Sequence, residues 1–407
     1  MNHNWVKKRL GDICEVITKG TTPTSLGFKF TDEGVNFIKV ESLTETGQII
    51  PNKVAYISNE CHESLKRSQL KENDILFSIA GALGRIGIVN DEIVPANTNQ
   101  ALAIVRLAKN SGILVNFLAK YFTSNIISEE IEKLKGGAAQ QNLSLGQLNN
   151  LIIPLPPLSE QQRIVSILDE AFEAIATAKA NAEQNLKNAK ELFESYLQNV
   201  FFTKGAGWEE KSLGEIATFR NGMNFTKGSK GEVINLVGVR DFQKSFWVPF
   251  DSLDSVTIDG KLSENDFLKE GDILAVRSNG NPALIGRTLL AGDVIGKVSH
   301  SGFTIRVRLN SKNISSLYLC HFLKTQRARK ELVESGTGVN IKSLNQGALS
   351  SLVISFPKSI ISQQTIVAKL DALSSETKRL EAIYQQKIAD LEELKKSVLQ
   401  KAFSGEL

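Results

Sequence analysis

The chain reads Trp5-Val6-Lys7-Lys8-Arg9-Leu10-Gly11-Asp12-Ile13 near its start and, 203 residues later, Trp208-Glu209-Glu210-Lys211-Ser212-Leu213-Gly214-Glu215-Ile216. In both stretches Leu-Gly, an acidic residue and Ile follow a tryptophan at the same spacing. Further pairs follow in the same order at offsets of 198 to 202 residues: Lys71-Glu72-Asn73-Asp74-Ile75-Leu76 with Lys269-Glu270-Gly271-Asp272-Ile273-Leu274, Gly84-Arg85 with Gly286-Arg287, Val105-Arg106-Leu107 with Val307-Arg308-Leu309, Gln161-Gln162 with Gln363-Gln364, and Leu197-Gln198 with Leu399-Gln400. Matches in one order and nearly one register indicate a tandem duplication.

Each repeat has a globular part followed by a long helix. Over about 150 residues, short apolar runs alternate with Gly, Asn, Pro and Ser, which is typical of mixed strands, helices and loops. Proline ends both globular parts. The predicted fold class is therefore α+β, with two mixed α/β domains at residues 1–157 and 205–357. Two long helices, at 158–204 and 358–407, separate and follow the domains.

Both helices carry an apolar seam with 4-3 spacing. Its positions are Ile164, Leu168, Ala171, Ile175, Ala178, Ala182, Asn185, Ala189, Leu192 and Tyr196 in the first helix, and Ile366, Leu370, Leu373, Thr377, Leu380, Tyr384, Lys387, Leu391, Leu394 and Val398 in the second. A seam of roughly 60 Å requires a partner. Small residues on one helix and larger ones on the other favour an antiparallel coiled coil, although each helix packing on its own domain is the alternative. Ser159 is the predicted N-cap of the first helix.

The sequence lacks the motifs of several enzyme classes. It has no Gly-x-x-x-x-Gly-Lys-Ser/Thr phosphate loop and no Asn/Asp-Pro-Pro-aromatic segment of an adenine methyltransferase. The three cysteines and four histidines are scattered without metal-ligand spacing, so reduced thiols and no metal or cofactor are expected. Asp259-Gly260-Lys261 loosely imitates a nuclease carboxylate–lysine site, but the first repeat has no counterpart. We interpret the chain as non-catalytic.

Net charge and hydropathy give little information about the binding partners. The formal net charge is +4, and residues 205–357 hold the largest excess, 19 Lys and Arg against 15 Asp and Glu. Binding to nucleic acid depends on local basic clusters more than on totals, so charge leaves the question open. No apolar stretch approaches the roughly 18 residues that span a bilayer, and the N-terminus lacks the apolar core of a secretory signal. A cytoplasmic location without membrane contact is expected.

The layout closely resembles the specificity subunit of type I restriction–modification systems over the whole chain. The resemblance rests on the Trp-(x)4-Leu-Gly-Asp/Glu-Ile openings, on Lys19-Gly20-Thr21-Thr22-Pro23, on Pro154-Leu155-Pro156-Pro157-Leu158-Ser159-Glu160-Gln161-Gln162-Arg163-Ile164-Val165, and on the closing Leu399-Gln400-Lys401-Ala402-Phe403-Ser404-Gly405-Glu406-Leu407. The second repeat departs from it, because Pro357-Lys358-Ser359-Ile360-Ile361-Ser362-Gln363-Gln364 lacks the double proline and the Glu.

The resemblance implies two target recognition domains, each of which reads one half of a bipartite site on double-stranded DNA. The helices then set the gap between the half-sites and dock two methyltransferase subunits, and up to two restriction subunits join that core. S-adenosylmethionine, ATP and Mg are expected in those partner subunits and not in this chain.

Residues that read bases need polar side chains on exposed loops. In the first domain the candidates are Lys19, Thr21, Thr22, Asn97, Asn99, Gln100, Gln140, Gln141 and Asn142. In the second they are Arg220, Asn221, Arg277, Asn279, Asn281, His300, Thr337, Asn340 and Lys342. Ordinary turn chemistry is the alternative explanation for each of these segments.

Two other functions stay open at this level. A coiled-coil scaffold whose domains bind protein predicts no salt-dependent binding to duplex DNA. A nuclease predicts metal-dependent cleavage that is lost on Lys261→Ala. Neither accounts for the duplication together with the end motifs.

Overall fold

The structure is a computed structural model that describes residues 5–44, 46–134, 142–203, 205–226, 228–243, 245–259, 262–334 and 343–407. Contacts divide it into unit 1, Met1–Glu183 with Gln385–Leu407, and unit 2, Gln184–Tyr384. Each unit therefore combines a globular domain with the start of the long helix that follows it and the end of the other long helix. Among the helices described, none is both long and apolar enough to cross a membrane.

The described residues of unit 1 form three small sheets. Its strands are β1 (Val6–Arg9), β2 (Cys14–Lys19), β3 (Phe30–Thr31), β4 (Val35–Ile38), β5 (Ala55–Ile57), β6 (Ile75–Ser78), β7 (Ile86–Ile88), β8 (Ala96–Thr98), β9 (Leu102–Leu107) and β10 (Ile152–Leu155). β1 pairs with β10, and the other sheets have the orders β2-β9-β6-β7 and β3-β5-β4-β8. Only the β4–β8 pair among these is parallel. The helices are α1 (Leu10–Ile13), α2 (Asn59–Ser64), α3 (Val115–Phe122), α4 (Asn125–Leu134), α5 (Leu145–Asn149) and the long α6 (Leu158–Phe202).

Unit 2 repeats this plan. Its strands are β11 (Trp208–Ser212), β12 (Ala217–Asn221), β13 (Val233–Val237), β14 (Asp254–Thr257), β15 (Ile273–Val276), β16 (Thr288–Leu290), β17 (Val298–His300), β18 (Thr304–Leu309) and β19 (Val353–Pro357). The sheet orders are β11-β19, β12-β18-β15-β16 and β14-β13-β17. The helices are α7 (Leu213–Ile216), α8 (Ser316–Lys324), α9 (Gln326–Glu334), α10 (Gln346–Ser351) and the long α11 (Ile360–Ser404). The predicted α+β duplication is confirmed.

Within unit 1, the start of α6 and the end of α11 run antiparallel. Arg163 Nη2 donates to the carbonyl oxygen of Leu407 at 2.7 Å, and Lys179 Nζ lies 2.7 Å from Glu392 Oε1. The same helix ends enter the domain core, where Ile164, Leu168, Leu399, Ala402 and Phe403 are buried in one cluster. Helix pairing and packing on a domain, the two alternatives, therefore occur together. In unit 2, Leu197 and Phe201 from α6 share a core cluster with Val367 and Leu370 from α11.

Two details of the helix prediction are wrong. Helix α6 begins at Leu158, so Ser159 lies inside the first turn, and the Pro157 carbonyl accepts the first helical hydrogen bonds. Leu192 and Leu394, both placed on the seam, are 57% and 48% exposed. A 4-3 frame drifts by about 20° per heptad around a straight helix, so near the helix ends the buried face passes to Leu197 and Leu399.

Candidate nucleic-acid interface

Two of the repeated sequence motifs meet in one buried ion pair in each unit. Asp74 accepts both Arg106 Nε and Nη2 at 2.7 Å, and it also accepts the backbone N–H of Lys71 at 2.8 Å. Asp272 repeats this arrangement with Arg308 and Lys269, again at 2.7 Å. Both aspartates are at most 1% exposed. The pairs fix the turn before β6 against β9 in unit 1 and the turn before β15 against β18 in unit 2.

The buried first glutamine of each Gln-Gln motif ties the long helix to its domain. Gln161 accepts from the N–H of Leu114 and donates to the carbonyls of Gly112 and Pro156, each at 2.8 Å. Gln363 makes the same three contacts, at 2.8 Å, with Ser315, Asn313 and Pro357. Both side chains are fully buried and use their donors and acceptor. These repeated residues are structural.

In unit 1, three candidate loops meet at one edge of the domain. A Cβ on Gly20 would lie 1.9 Å from the Thr98 carbonyl oxygen, so only glycine permits this approach of β2 to the turn between β8 and β9. Thr21 N donates to that carbonyl at 3.1 Å, and the Thr22 hydroxyl bonds the Gln100 side chain. The edge continues through Ile79, whose N–H donates to the carbonyl of Ala101 at 2.9 Å.

The residue after Ile79 pairs with the last described candidate of unit 1, since Ala80 forms an isolated bridge with Asn142. We name this edge the first polar row; its candidates are Lys19, Thr21, Thr22, Asn99, Gln100 and Asn142. Lys19, Gln100 and Asn142 are exposed, and the other three are half-buried. The structure thus brings together candidates that lie more than 120 residues apart in the chain.

Sequence reasoning missed one member of the first polar row. Arg67 is exposed on the 3-10 helix Lys66–Ser68, and its Nη2 donates to Thr21 Oγ1 at 3.1 Å. The basic dipeptide Lys66-Arg67 was the available signal. The offset between Lys71 and Lys269 aligns Lys66-Arg67 with Glu264-Asn265, which lie on the 3-10 helix Glu264–Asp266 of unit 2.

Unit 2 forms an equivalent edge with different side chains. Gly222 lies against the turn after β17, where an added Cβ would be 2.2 Å from the Ser301 carbonyl oxygen, and Met223 N donates to His300 O at 3.0 Å. Arg277 N donates to Phe303 O at 2.8 Å, which adds the Arg277 segment to this edge. The second polar row comprises Arg220, Asn221, Arg277 and Asn279.

An ion pair orients Arg220 in the second polar row. Arg220 Nη2 contacts Asp266 Oδ1, and the arginine side chain is 46% exposed. Burial raises the pKa of Asp266, but hydrogen bonds from Ser263 and the Arg220 charge outweigh it and lower that pKa. The carboxylate is therefore charged at neutral pH and holds the guanidinium at the surface.

Asn97 and His300 were predicted to be exposed, and both are buried. Asn97 is fully buried and donates to Leu65 O at 3.1 Å and Ser68 Oγ at 3.0 Å, while its oxygen contacts His62 Nδ1. His300 is 2% exposed and its Nδ1 lies 2.9 Å from Thr304 Oγ1. Asn97 lies within β8 and His300 is the last residue of β17, and both strands pair in parallel inside their domains. The turn composition that suggested a surface loop therefore marks a packed strand end instead.

Burial lowers the pKa of His300 to about 3, and the charges of Arg306 and Arg220 add to that effect. The imidazole is therefore neutral at physiological pH.

Three candidate asparagines use their oxygens in local turns. Asn99 accepts from Ala101 N at 3.1 Å, Asn279 from Asn281 N at 2.8 Å, and Asn281 from Ala283 N at 3.0 Å. These three bonds use the amide oxygens and not the amide N–H groups. Contact of these and the remaining candidates with DNA stays a prediction.

Five candidates lie outside the described residues: Gln140, Gln141, Thr337, Asn340 and Lys342. Gly260 and Lys261 of the nuclease-like segment do so too, while Asp259 accepts from Ser229 Oγ at 3.0 Å. Within the described part of the chain, no group of three His, Cys, Asp or Glu residues could hold a metal ion.

Comparison with known proteins gives one consistent result. The family model of the type I restriction modification DNA specificity domain matches the chain twice, at residues 2–188 and 206–392. The StySPI specificity subunit of Salmonella potsdam is 26% identical over 84% of this chain and 77% of its own length. The EcoKI specificity subunit of Escherichia coli is 22% identical over 92% and 85%.

Solved structures share the fold. One, from a study of complex assembly and conformational transition in the type I R-M system, covers 100% of this chain and 99% of its own, with a TM-score of 0.79 and 20% identity. The HsdS subunit of Thermoanaerobacter tengcongensis covers 100% and 98%, with a TM-score of 0.65 and 20% identity.

Proposed function

Because the chain belongs to the family of type I restriction modification DNA specificity domains, we propose that it selects the DNA target of a type I restriction–modification complex. Each unit reads one half of a bipartite site on double-stranded DNA. The chain itself carries out no catalysis.

The observation that carries this proposal is the pair of polar rows. Both are built on the same backbone contacts, a glycine pressed against the turn that follows a parallel strand, yet they present different side chains. The first row offers Lys19, Gln100 and the added Arg67, and the second offers Arg220 and Arg277. Arginine and amide side chains are those that distinguish guanine from adenine in the major groove. Two related but unlike rows suit two unlike short words of sequence.

The remaining parts of the proposal rest on the family. The long helices α6 and α11 set the gap between the half-sites and dock two methyltransferase subunits, and up to two restriction subunits join them in the cytoplasm. S-adenosylmethionine, ATP and Mg²⁺ serve the partner subunits. Methyl transfer and cleavage then occur on the site that this chain selects.

The experiment is a genome-wide map of methylated adenines in cells that contain the methyltransferase partner, with and without this chain. Loss of one two-part motif with a fixed gap is expected when the chain is absent. An unchanged map, together with no salt-dependent binding of the assembled complex to duplex DNA, would favour a protein-binding scaffold instead.

A further inference from the structure

Unit 1 contains a groove of about 730 Å³ that the proposed reading of DNA does not use. Helix α3, the first part of α6 and the last part of α11 form its walls, and residues 46–48 close one side. Apolar side chains, among them Ile86, Ala119, Ile175 and Leu399, line it. Its charged residues are Lys120, Asp169, Lys179, Glu392, Lys395 and Lys396.

The duplication identifies the residue of unit 2 that corresponds to the edge of this groove. Ile88 lies opposite Ile75 in unit 1, as Leu290 lies opposite Ile273 in unit 2. The N–H of Ile88 donates to Gly47 O at 3.1 Å, and the N–H of Leu290 donates to Phe246 O at 3.0 Å. Gly47 and Phe246 therefore hold the same backbone position. Unit 1 has no side chain where unit 2 has an aromatic ring.

Phe246 occupies the corresponding place in unit 2. Its ring centroid lies 4.7 Å from that of His321, and Lys324 Nζ lies 5.0 Å from it. Phe246 also packs against the main core cluster of unit 2. The second unit thus fills this position with its own aromatic side chain, held between a cation and a ring.

The polar wall that receives the ring is present in both units. His321 pairs with Asp371 at 3.1 Å in unit 2, and Lys120 pairs with Asp169 at 2.5 Å in unit 1. In unit 1 the ammonium groups of Lys120 and Lys395 also lie 5.1 and 5.0 Å from the centroid of the Phe172 ring. Lysine and phenylalanine side chains in this arrangement suit a further aromatic ring through ring stacking and cation–π contact.

We propose that the groove of unit 1 binds an aromatic side chain, Phe or Tyr, supplied by an acidic segment of a methyltransferase subunit. The groove has four lysines and two carboxylates along it, and Glu393 beside it pairs with Lys396 at 3.7 Å. The lysines still exceed the carboxylates, so acidic residues beside the aromatic one match the charge of the groove. Unit 2 shows the occupant that fits. This inference rests on the proposed function for the identity of the partner.

The direct test uses the full chain with isoleucine methyl groups labelled for NMR. The probe is the acetylated, amidated peptide Asp-Phe-Asp. We expect the methyl signals of Ile86 and Ile175 to shift, with half-saturation at about 1–10 mM, as a single anchoring side chain allows. Ala176→Trp, which fills the groove from exposed α6, weakens binding by about tenfold or more. Ala174→Trp is the matched control, because Ala174 is exposed on the same helix outside the groove, and it leaves binding unchanged.

The same two variants are then compared for assembly with the methyltransferase subunit. Weaker assembly with Ala176→Trp and normal assembly with Ala174→Trp are expected. No shift with the peptide, or equal assembly by both variants, overturns the inference. Shifts with adenosine but not with the peptide also overturn it, in favour of a nucleobase site. If the unaltered chain fails to bind the methyltransferase subunit, the proposed function fails, and the peptide titration still judges the groove.

Discussion

The same edge of the two units carries its positive charge on different elements. In unit 1 the charge lies on the 3-10 helix Lys66–Ser68, where Arg67 donates to Thr21, two residues after the end of β2. In unit 2 Arg220 lies on β12, and the 3-10 helix Glu264–Asp266 supplies the carboxylate of Asp266 that holds it. Each exchange keeps a contact between strand end and 3-10 helix. Duplication has thus preserved how the edge is assembled while changing what it presents.

The comparison also separates residues that repeat from residues that do not. Asp74 and Asp272, and Gln161 and Gln363, recur with the same partners at the same distances. The exposed side chains of the two polar rows differ at almost every equivalent position. Repeated polar residues therefore hold each unit together, and the divergent ones are the candidates for reading two unlike half-sites.

Breaking a repeated ion pair should have the largest effect. Asp74→Ala leaves the Arg106 guanidinium, which is mostly buried, without its carboxylate, and removal of one partner of a buried pair costs about 3–5 kcal/mol. Asp272→Ala should cost unit 2 a similar amount. Urea unfolding of the full chain, with hydrogen exchange to assign the loss to one unit, measures both.

Glu72→Ala is the control for this pair of variants, because Glu72 belongs to the same motif and is exposed. Its effect should stay within about 0.5 kcal/mol. Equal losses in the Asp74 and Glu72 variants would show that the repeated motif acts through its turn and not through the ion pair.

The glutamine that ties α6 to its domain should come next. Gln161→Leu removes the partner of the Leu114 N–H and of the Gly112 and Pro156 carbonyls, of which Pro156 is buried, and the free energy of unfolding should fall by about 1–3 kcal/mol. Gln162→Leu changes the exposed neighbour in the same way and should have little effect. Denaturant titration of the two variants compares them directly, and similar values would contradict the structural role of Gln161.

The sequence predicted the architecture well because duplication and helical periodicity are linear patterns. The repeat offsets located both domains, and the apolar seam located both long helices. The polar rows were partly predictable, since Gly20 and Gly222 mark turns where strands approach closely. Burial was not, because Asn97 and His300 sit in segments whose composition is that of surface loops. Arg67 was not predicted because its contact with Thr21 spans 46 residues and leaves no pattern in the local sequence.

Acid should destabilise unit 2 through His300. Unit 1 has Thr98 at the equivalent position, opposite Ile38 as His300 lies opposite Val237. The folded state holds the pKa of His300 at about 3, below its ordinary value of 6.5. Below pH 6.5 the unfolded chain therefore gains a proton that the folded chain does not bind, and stability falls as pH falls. Between pH 6.5 and 5 the loss is about 2 kcal/mol, and above pH 6.5 this group contributes none.

The measurement is the pH dependence of urea unfolding for the unaltered chain and for His300→Thr. Burial also lowers the pKa of His321 in the same unit, so part of the acid sensitivity should persist in the variant. A slope that does not change at all between the two proteins would mean that His300 is protonated in the folded state.

The smallest effects, and the most informative about function, should come from the exposed members of the two rows. Gln100→Ala in unit 1 and Asn221→Ala in unit 2 each remove one side chain that can bond a base edge, so discrimination should fall by about 1–2 kcal/mol at one position. Because the two residues belong to different units, each variant should relax only one half of the methylated motif. Lys19→Ala removes a charge together with a candidate reading group, so besides relaxing the first half of the motif it should weaken binding to all duplexes and reduce the salt slope by about one. Methylation maps and salt-dependent binding by the assembled complex separate these patterns. A variant in one unit that altered both halves would mean that the rows act together on one site, and the assignment of one half to each unit would be wrong.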